Sequence, residues 1–202
     1  VDPSHVDADF RARMAAYRCG SGTFRMNVAL SALPDFPCLP GREAATHHAS
    51  GIVIAPSLGY MEQAYFDART EGWSRAPIVE ILIPSVVDDT LAPHGAHVAS
   101  IIAQQFSPHL PDGRSWDHVR EDAASAILAT IDRYAPNFKA SVLGMKILSP
   151  LDLEREFGLT NGDIMHGALA LDQLAMRALL HPPPPTPPTA GSHKVRTWRA
   201  RG

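Results

Sequence analysis

Four groups of residues in this sequence have side chains and spacing that could do chemistry. The first is His166, in the string Gly162-Asp163-Ile164-Met165-His166-Gly167. An imidazole titrates near neutrality, so it can move a proton or orient the edge of a flat group during electron transfer. Gly162 and Gly167 on either side allow close backbone approach. The ordinary alternative is a histidine whose ring is satisfied by nearby backbone while its body packs in the core. The second group is Arg25 and Asn27, alternate residues of TFRMNVAL (23–30), which offer polar contacts to a substrate cavity or simply a solvated face. The third, His47-His48, invites a metal. A metal site needs three or four convergent ligands, and no Cys/His set at ligand spacing accompanies the pair, so we expect surface or packing histidines and no metal. The fourth, Asp88-Asp89, could do acid–base work, but neighbours on a turn point apart, and a solvated turn is expected.

The elements that must position these groups are legible from pattern and punctuation. His166 follows a short helix with a clear start and stop. Ser149 stands at the N-cap and Pro150 at the first helical position. Asp152, Glu154 and Glu156 lie toward the positive end of the dipole, and Gly158 supplies a left-handed stop. A helix of about two turns cannot stand alone in water, so it needs a larger body to rest on. Arg25 and Asn27 sit on a strand whose other face is Phe24, Met26, Val28 and Leu30. Further strands are expected at 52–54, 78–83, 97–106 and 142–148. The run 78–83 is nearly all apolar and predicts a strand covered on both faces. Helices are expected over 1–18, with Phe10, Met14 and Tyr17 on one face, and after Ser57, with Leu58, Met61, Tyr65 and Ala68 facing inward. The longest helix starts at Ser115 and carries a core stripe of Trp116, Val119, Ala123, Ile127, Ile131 and Tyr134. Gly20-Ser21-Gly22 reads as a turn rather than a phosphate loop, because no strand precedes it and GxGxxG is absent.

Several strings, in order, resemble one known family. SPLDLEREFGL (149–159) and GDIMHGALALDQL (162–174) look like the late part of the phytoene dehydrogenase-like FAD-dependent oxidoreductases. GSGTFRMNVALSALPDF (20–36), PIVEILIPSVVDDTLAPHGAHVAS (77–100), SWDHVRED (115–122) and IDRYAPNFKASVLG (131–144) agree. Together they cover roughly residues 1 to 174, and several strings in register are far more specific than one short motif. The resemblance implies an enzyme with a flavin-binding domain and a substrate domain, using FAD on an apolar or otherwise unassigned small molecule. It makes this chain the substrate-domain portion, with the flavin-binding domain as its missing partner. It also puts His166 in the part of the chain that approaches the flavin. Both glycine-rich flavin motifs are absent from this sequence, so the chain alone is expected to be inactive.

Length and composition bound the remainder. The 202 residues suffice for one domain with a sizeable core, and 45% hydrophobic with 19% charged residues is a globular balance. A net charge of −3 leaves no nucleic-acid footprint. No apolar run approaches the ~20 residues of a membrane helix. Cys19 and Cys38 lack CxxC spacing and read as two reduced thiols. With no secretory leader legible, a cytoplasmic protein is expected, or a mitochondrial-matrix one in a eukaryote. Val1 rather than Met opens the sequence, as in a piece of a longer product. The expected organisation is a leading helix and turn (1–22), a substrate domain (23–180) and a proline-rich basic tail (181–202). That tail has six prolines among its first eight residues and is expected to be disordered. The fold class expected is α/β or α+β, a mixed or antiparallel sheet of about five strands covered by helices on one side. A non-catalytic binding module or remnant, or an interaction protein working through the tail, are the other readings.

Overall fold

The computed structural model describes residues 5–20, 22–41, 43–171 and 173. It contains five strands and five α-helices: α1 (Ala8–Ala15), β1 (Gly22–Leu30), β2 (Ile52–Ile54), α2 (Leu58–Thr70), β3 (Trp73–Leu82), β4 (His97–Phe106), α3 (Trp116–Tyr134), α4 (Phe138–Ser141), β5 (Val142–Leu148) and α5 (Pro150–Phe157). The strands form one antiparallel sheet in the order β2-β3-β4-β1-β5. The expected five-stranded sheet with helices is therefore the observed one, and its strands are antiparallel throughout. The described residues up to Ala168 belong to one compact unit, and those from Leu169 on lie outside it. The expected tail, 181–202, lies outside the described residues.

Alternation on β1 sets the two faces of the sheet. Phe24, Met26, Val28 and Leu30 are almost wholly buried, and in register with them stand Ala99, Ile101 and Ala103 of β4. The long helix α3 supplies the other half of this core through Val119, Ala123, Ile127 and Ile131. Its N-cap is Ser115, whose side chain accepts from the Asp117 amide. Trp116 closes one end of the core against Phe24 and Trp73, at ring separations of 5.8 and 5.4 Å, and its indole N–H donates to the Ser107 carbonyl at 3.0 Å. Tyr134, the last residue of the expected stripe, is 37% exposed.

Two expectations about buried faces are corrected. The α2 face expected to point inward is largely outside: Leu58, Met61 and Tyr65 are 80%, 41% and 43% exposed. Of that face Ala68 alone is buried; with Ala64 it sets small residues inward, and the helix runs back alongside β3, tied by Tyr60 Oη donating to the Pro77 carbonyl and Ser74 Oγ donating to Asp67. Small residues allow close approach of the backbones, so packing distance decided the face and hydrophobicity did not. The 78–83 run is not covered on both faces, since Leu82 is half exposed while Val79 and Ile81 are buried. In α1 no described residue is buried, so its apolar residues face outward too.

Candidate functional site

The helices cover one face of the sheet, and the other carries Arg25 and Asn27. Register fixes their neighbours. Leu148, Arg25, Ile102, Glu80 and Val53 form one row across all five strands. Lys146, Asn27, Ser100 and Leu82 form the next row. Cross-strand partners on one face of an antiparallel sheet touch or nearly touch, so this is one continuous patch. It mixes charge with apolar surface. Arg25 and Glu80 are half-buried on either side of Ile102, while Asn27, Leu82 and Val53 are exposed. The two charges turn to different neutral partners. Arg25 Nη2 donates to Ser100 Oγ at 3.0 Å, and Gln104 Nε2 donates to Glu80. Lys146 is engaged at the edge by Glu156, 2.8 Å away.

The segment carrying His166 is held against the start of β1. α5 is as expected: Ser149 and Asp152 form a reciprocal capping box, Pro150 opens the helix, and Gly158 ends it at φ 68°. Arg155 grips Asp117 of α3 with two bonds of 2.7 and 3.0 Å, and Arg120 reaches Asp152 at 3.4 Å. These pairs are exposed or partly so and orient the helix more than they stabilise it. The chain then turns through Gly162, which must be glycine: a Cβ there would meet the Pro150 backbone at 2.5 Å. Asp163, buried and missed by sequence reasoning, organises the turn through Gly167. Its carboxylate accepts from the Met165 amide at 2.9 Å and the Gly167 amide at 3.2 Å, and its backbone bridges Gly22. The signal was present as an Asp followed by a Gly four residues on, the composition of an Asx-type turn.

Three more bonds stitch this segment to residues 17–19. Tyr17 Oη donates to the His166 carbonyl at 2.8 Å, Asn161 Nδ2 to the Cys19 carbonyl at 2.7 Å, and the Ala168 amide to the Arg18 carbonyl at 2.8 Å. His166 itself is exposed, with φ at 56°, a conformation that L residues adopt at a cost. The reading of a core-packed ring is thus corrected. The fold holds the backbone of this residue through Tyr17, and the residue is exposed. Asp163 faces Gly22, at the start of β1 and three residues, about 10 Å by strand rise, from Arg25, so the turn that carries His166 leaves from that end of the strand.

The remaining chemical candidates resolve as scaffold. His48 is fully buried. Its Nδ1 accepts from the Ala45 amide at 3.2 Å, which leaves Nε2 to carry the proton and donate to the Pro34 carbonyl at 2.9 Å. With both ring nitrogens bonded to loop backbone, His48 is a loop brace. Among the described residues no group of three or more His, Cys, Asp or Glu is placed to hold a metal ion. Asp88 caps a turn through the Thr90 amide and hydroxyl. Both cysteines are free, and burial together with the Asp163 carboxylate pushes the Cys19 thiol pKa up, away from the reactive thiolate. The N-termini of α1, α2, α3 and α5 are capped by Asp7, Ser57, Ser115 and Ser149, whose own oxygens occupy the place an anion takes.

Similar proteins carry an oxidoreductase name. Over 170 residues, 82% of this chain, the sequence is 41% identical to the rat (Rattus norvegicus) protein named pyridine nucleotide-disulfide oxidoreductase domain-containing protein 2, and 39% identical to the mouse (Mus musculus) protein of that name. The chain spans 29% of the length of these relatives. No protein-family model matches the sequence. The relatives' names speak of pyridine nucleotide and disulfide chemistry, and of neither phytoene dehydrogenase nor FAD. Among the described residues no helix is long and apolar enough to cross a membrane.

Proposed function

We propose that this chain is the substrate-domain portion of a FAD-dependent oxidoreductase of the phytoene dehydrogenase-like kind. The observation that carries the reading is the sheet with one face sealed by α3 and the other left open over Asn27, Leu82 and Val53. That open face is a mixed polar and apolar wall, with the His166 loop clamped at the start of β1. A single wall is half a cavity. The other half, and the flavin, belong to the flavin-binding part of the protein, in keeping with relatives more than three times the length of the matched segment. When bound, the flavin supplies the electron chemistry. This chain's residues present and orient the substrate, exclude water from one side, and hold His166 where it can orient a flat group or move a proton. The compartment that fits two unpaired cysteines is the cytoplasm or the mitochondrial matrix.

The test uses Asn27, which is exposed on the open face. In the isolated chain an Asn27→Cys variant should react quickly with a maleimide, measured against the unsubstituted chain. Cysteine at the matching position of the full-length rat relative should react far more slowly, because the flavin-binding part closes over it. Equal rates in the two proteins would overturn the reading.

A further inference from the structure

We infer that Arg25 is the anchor for a carboxylate, and that the open face takes an amphipathic carboxylate: one anionic end on Arg25 and an apolar body lying across Ile102 toward Leu82 and Val53. This rests on the reading of that face as a substrate wall and names the class of substrate. Three observations carry it. Arg25 sits on β1, between β4 and β5, with apolar Ile102 and Leu148 as its cross-strand neighbours in register. It is half-buried, yet its hydrogen bond is to a neutral hydroxyl, that of Ser100. A guanidinium has five N–H donors in a planar fork that matches a carboxylate, and one bond to a hydroxyl leaves most of the fork and the whole charge for a ligand. The carboxylate on the same row, Glu80, is turned away to Gln104, with Ile102 standing between the two charges. Two strand spacings separate their backbones, about 10 Å. Lys146, the other cation of the patch, is engaged by Glu156 at the sheet edge. The face therefore presents one positive group with a neutral partner and, beside it, Ile102, with exposed Leu82 and Val53 beyond, set on either side of Glu80, whose carboxylate accepts from Gln104. Charge complementarity selects an anion, and these apolar residues select a hydrocarbon body.

The experiment is titration of the whole chain with octanoate and, separately, with 1-octanol, followed by amide chemical shifts. The proteins are the natural sequence, Arg25→Gln and Arg25→Lys, each checked for a dispersed spectrum. Octanoate is expected to shift the amides of Arg25, Ser100 and Ile102 saturably. Arg25→Gln should weaken it about tenfold or more, the loss expected for a charge-assisted pair, and Arg25→Lys should weaken it less. Octanol should bind the natural chain more weakly than octanoate. Equal binding of octanoate and octanol, unchanged by Arg25→Gln, would overturn the carboxylate anchor while leaving the wall reading in place. Shifts at other residues, or no shifts at the face, would overturn the anchor as well. Maleimide reactivity at position 27 then decides separately whether the face is a cavity wall.

Discussion

At the scale of single residues, one half-buried group and one buried group give measurable consequences. His97 lies at the end of β4 with its Nδ1 buried and without a hydrogen-bond partner. Burial, and then the neighbouring His48, hold its pKa below the ordinary histidine value. His47 is lowered for the same two reasons, burial first and His48 second. The folded state therefore binds fewer protons than the unfolded chain once the pH falls below about 6.5, so protonation favours unfolding. The stabilising contribution is complete above that pH and is lost as pH falls through the depressed folded values. Urea midpoints measured from pH 8 to pH 5 should decline, and His97→Gln should flatten that decline. A parallel pH profile in the variant would show that His97 has no part in it. Asp163 is the second case. Asp163→Ala strands the Met165 and Gly167 amides and should cost roughly 1–3 kcal/mol, the range for leaving buried donors unpaired. Amide exchange at Met165 and Gly167 should rise more than at β4; equal protection in the variant would show that the loop does not depend on this carboxylate.

At the scale of elements, α3 and α5 differ in what holds them. α3 is held by its buried stripe, and Ile127 is fully buried within it. Ile127→Ala should lower stability by about 2–5 kcal/mol, the usual range for truncating a core aliphatic residue. A denaturation midpoint that does not move would show that the site collapses without loss. α5 is short and is held by its ends. Removing its cap with Ser149→Ala should cost about 1 kcal/mol, and it should loosen the Asp163 loop next to it in the chain. Both helices were readable from sequence, because spacing at 3.6 residues and the Ser-Pro…Gly punctuation are local signals. The exposed face of α2 was not. Its large residues lie at helical spacing, yet Ala64 and Ala68 are the ones that meet the sheet edge, a choice made by how closely two backbones can approach.

At the scale of the whole molecule, the chain purified alone should be colourless, since capping side chains already fill the helix N-termini that could take a pyrophosphate. A stoichiometric flavin absorption band surviving gel filtration would contradict this. The sequence by itself determined the strands, the polar alternation of Arg25 and Asn27 along β1, the start and stop of α5, and the kinship with an oxidoreductase, because each is written in neighbouring residues or in ordered strings. Only the tertiary structure decided that Arg25 and Glu80 share a row without pairing, that Asp163 rather than the His166 ring organises the GDIMHG turn, and that residues 17–19 and 161–168 are sewn together. The last of these joins positions some 140 residues apart in the chain. Pairing over such separations is set by strand register and by the closing of a shared core, which no local spacing encodes.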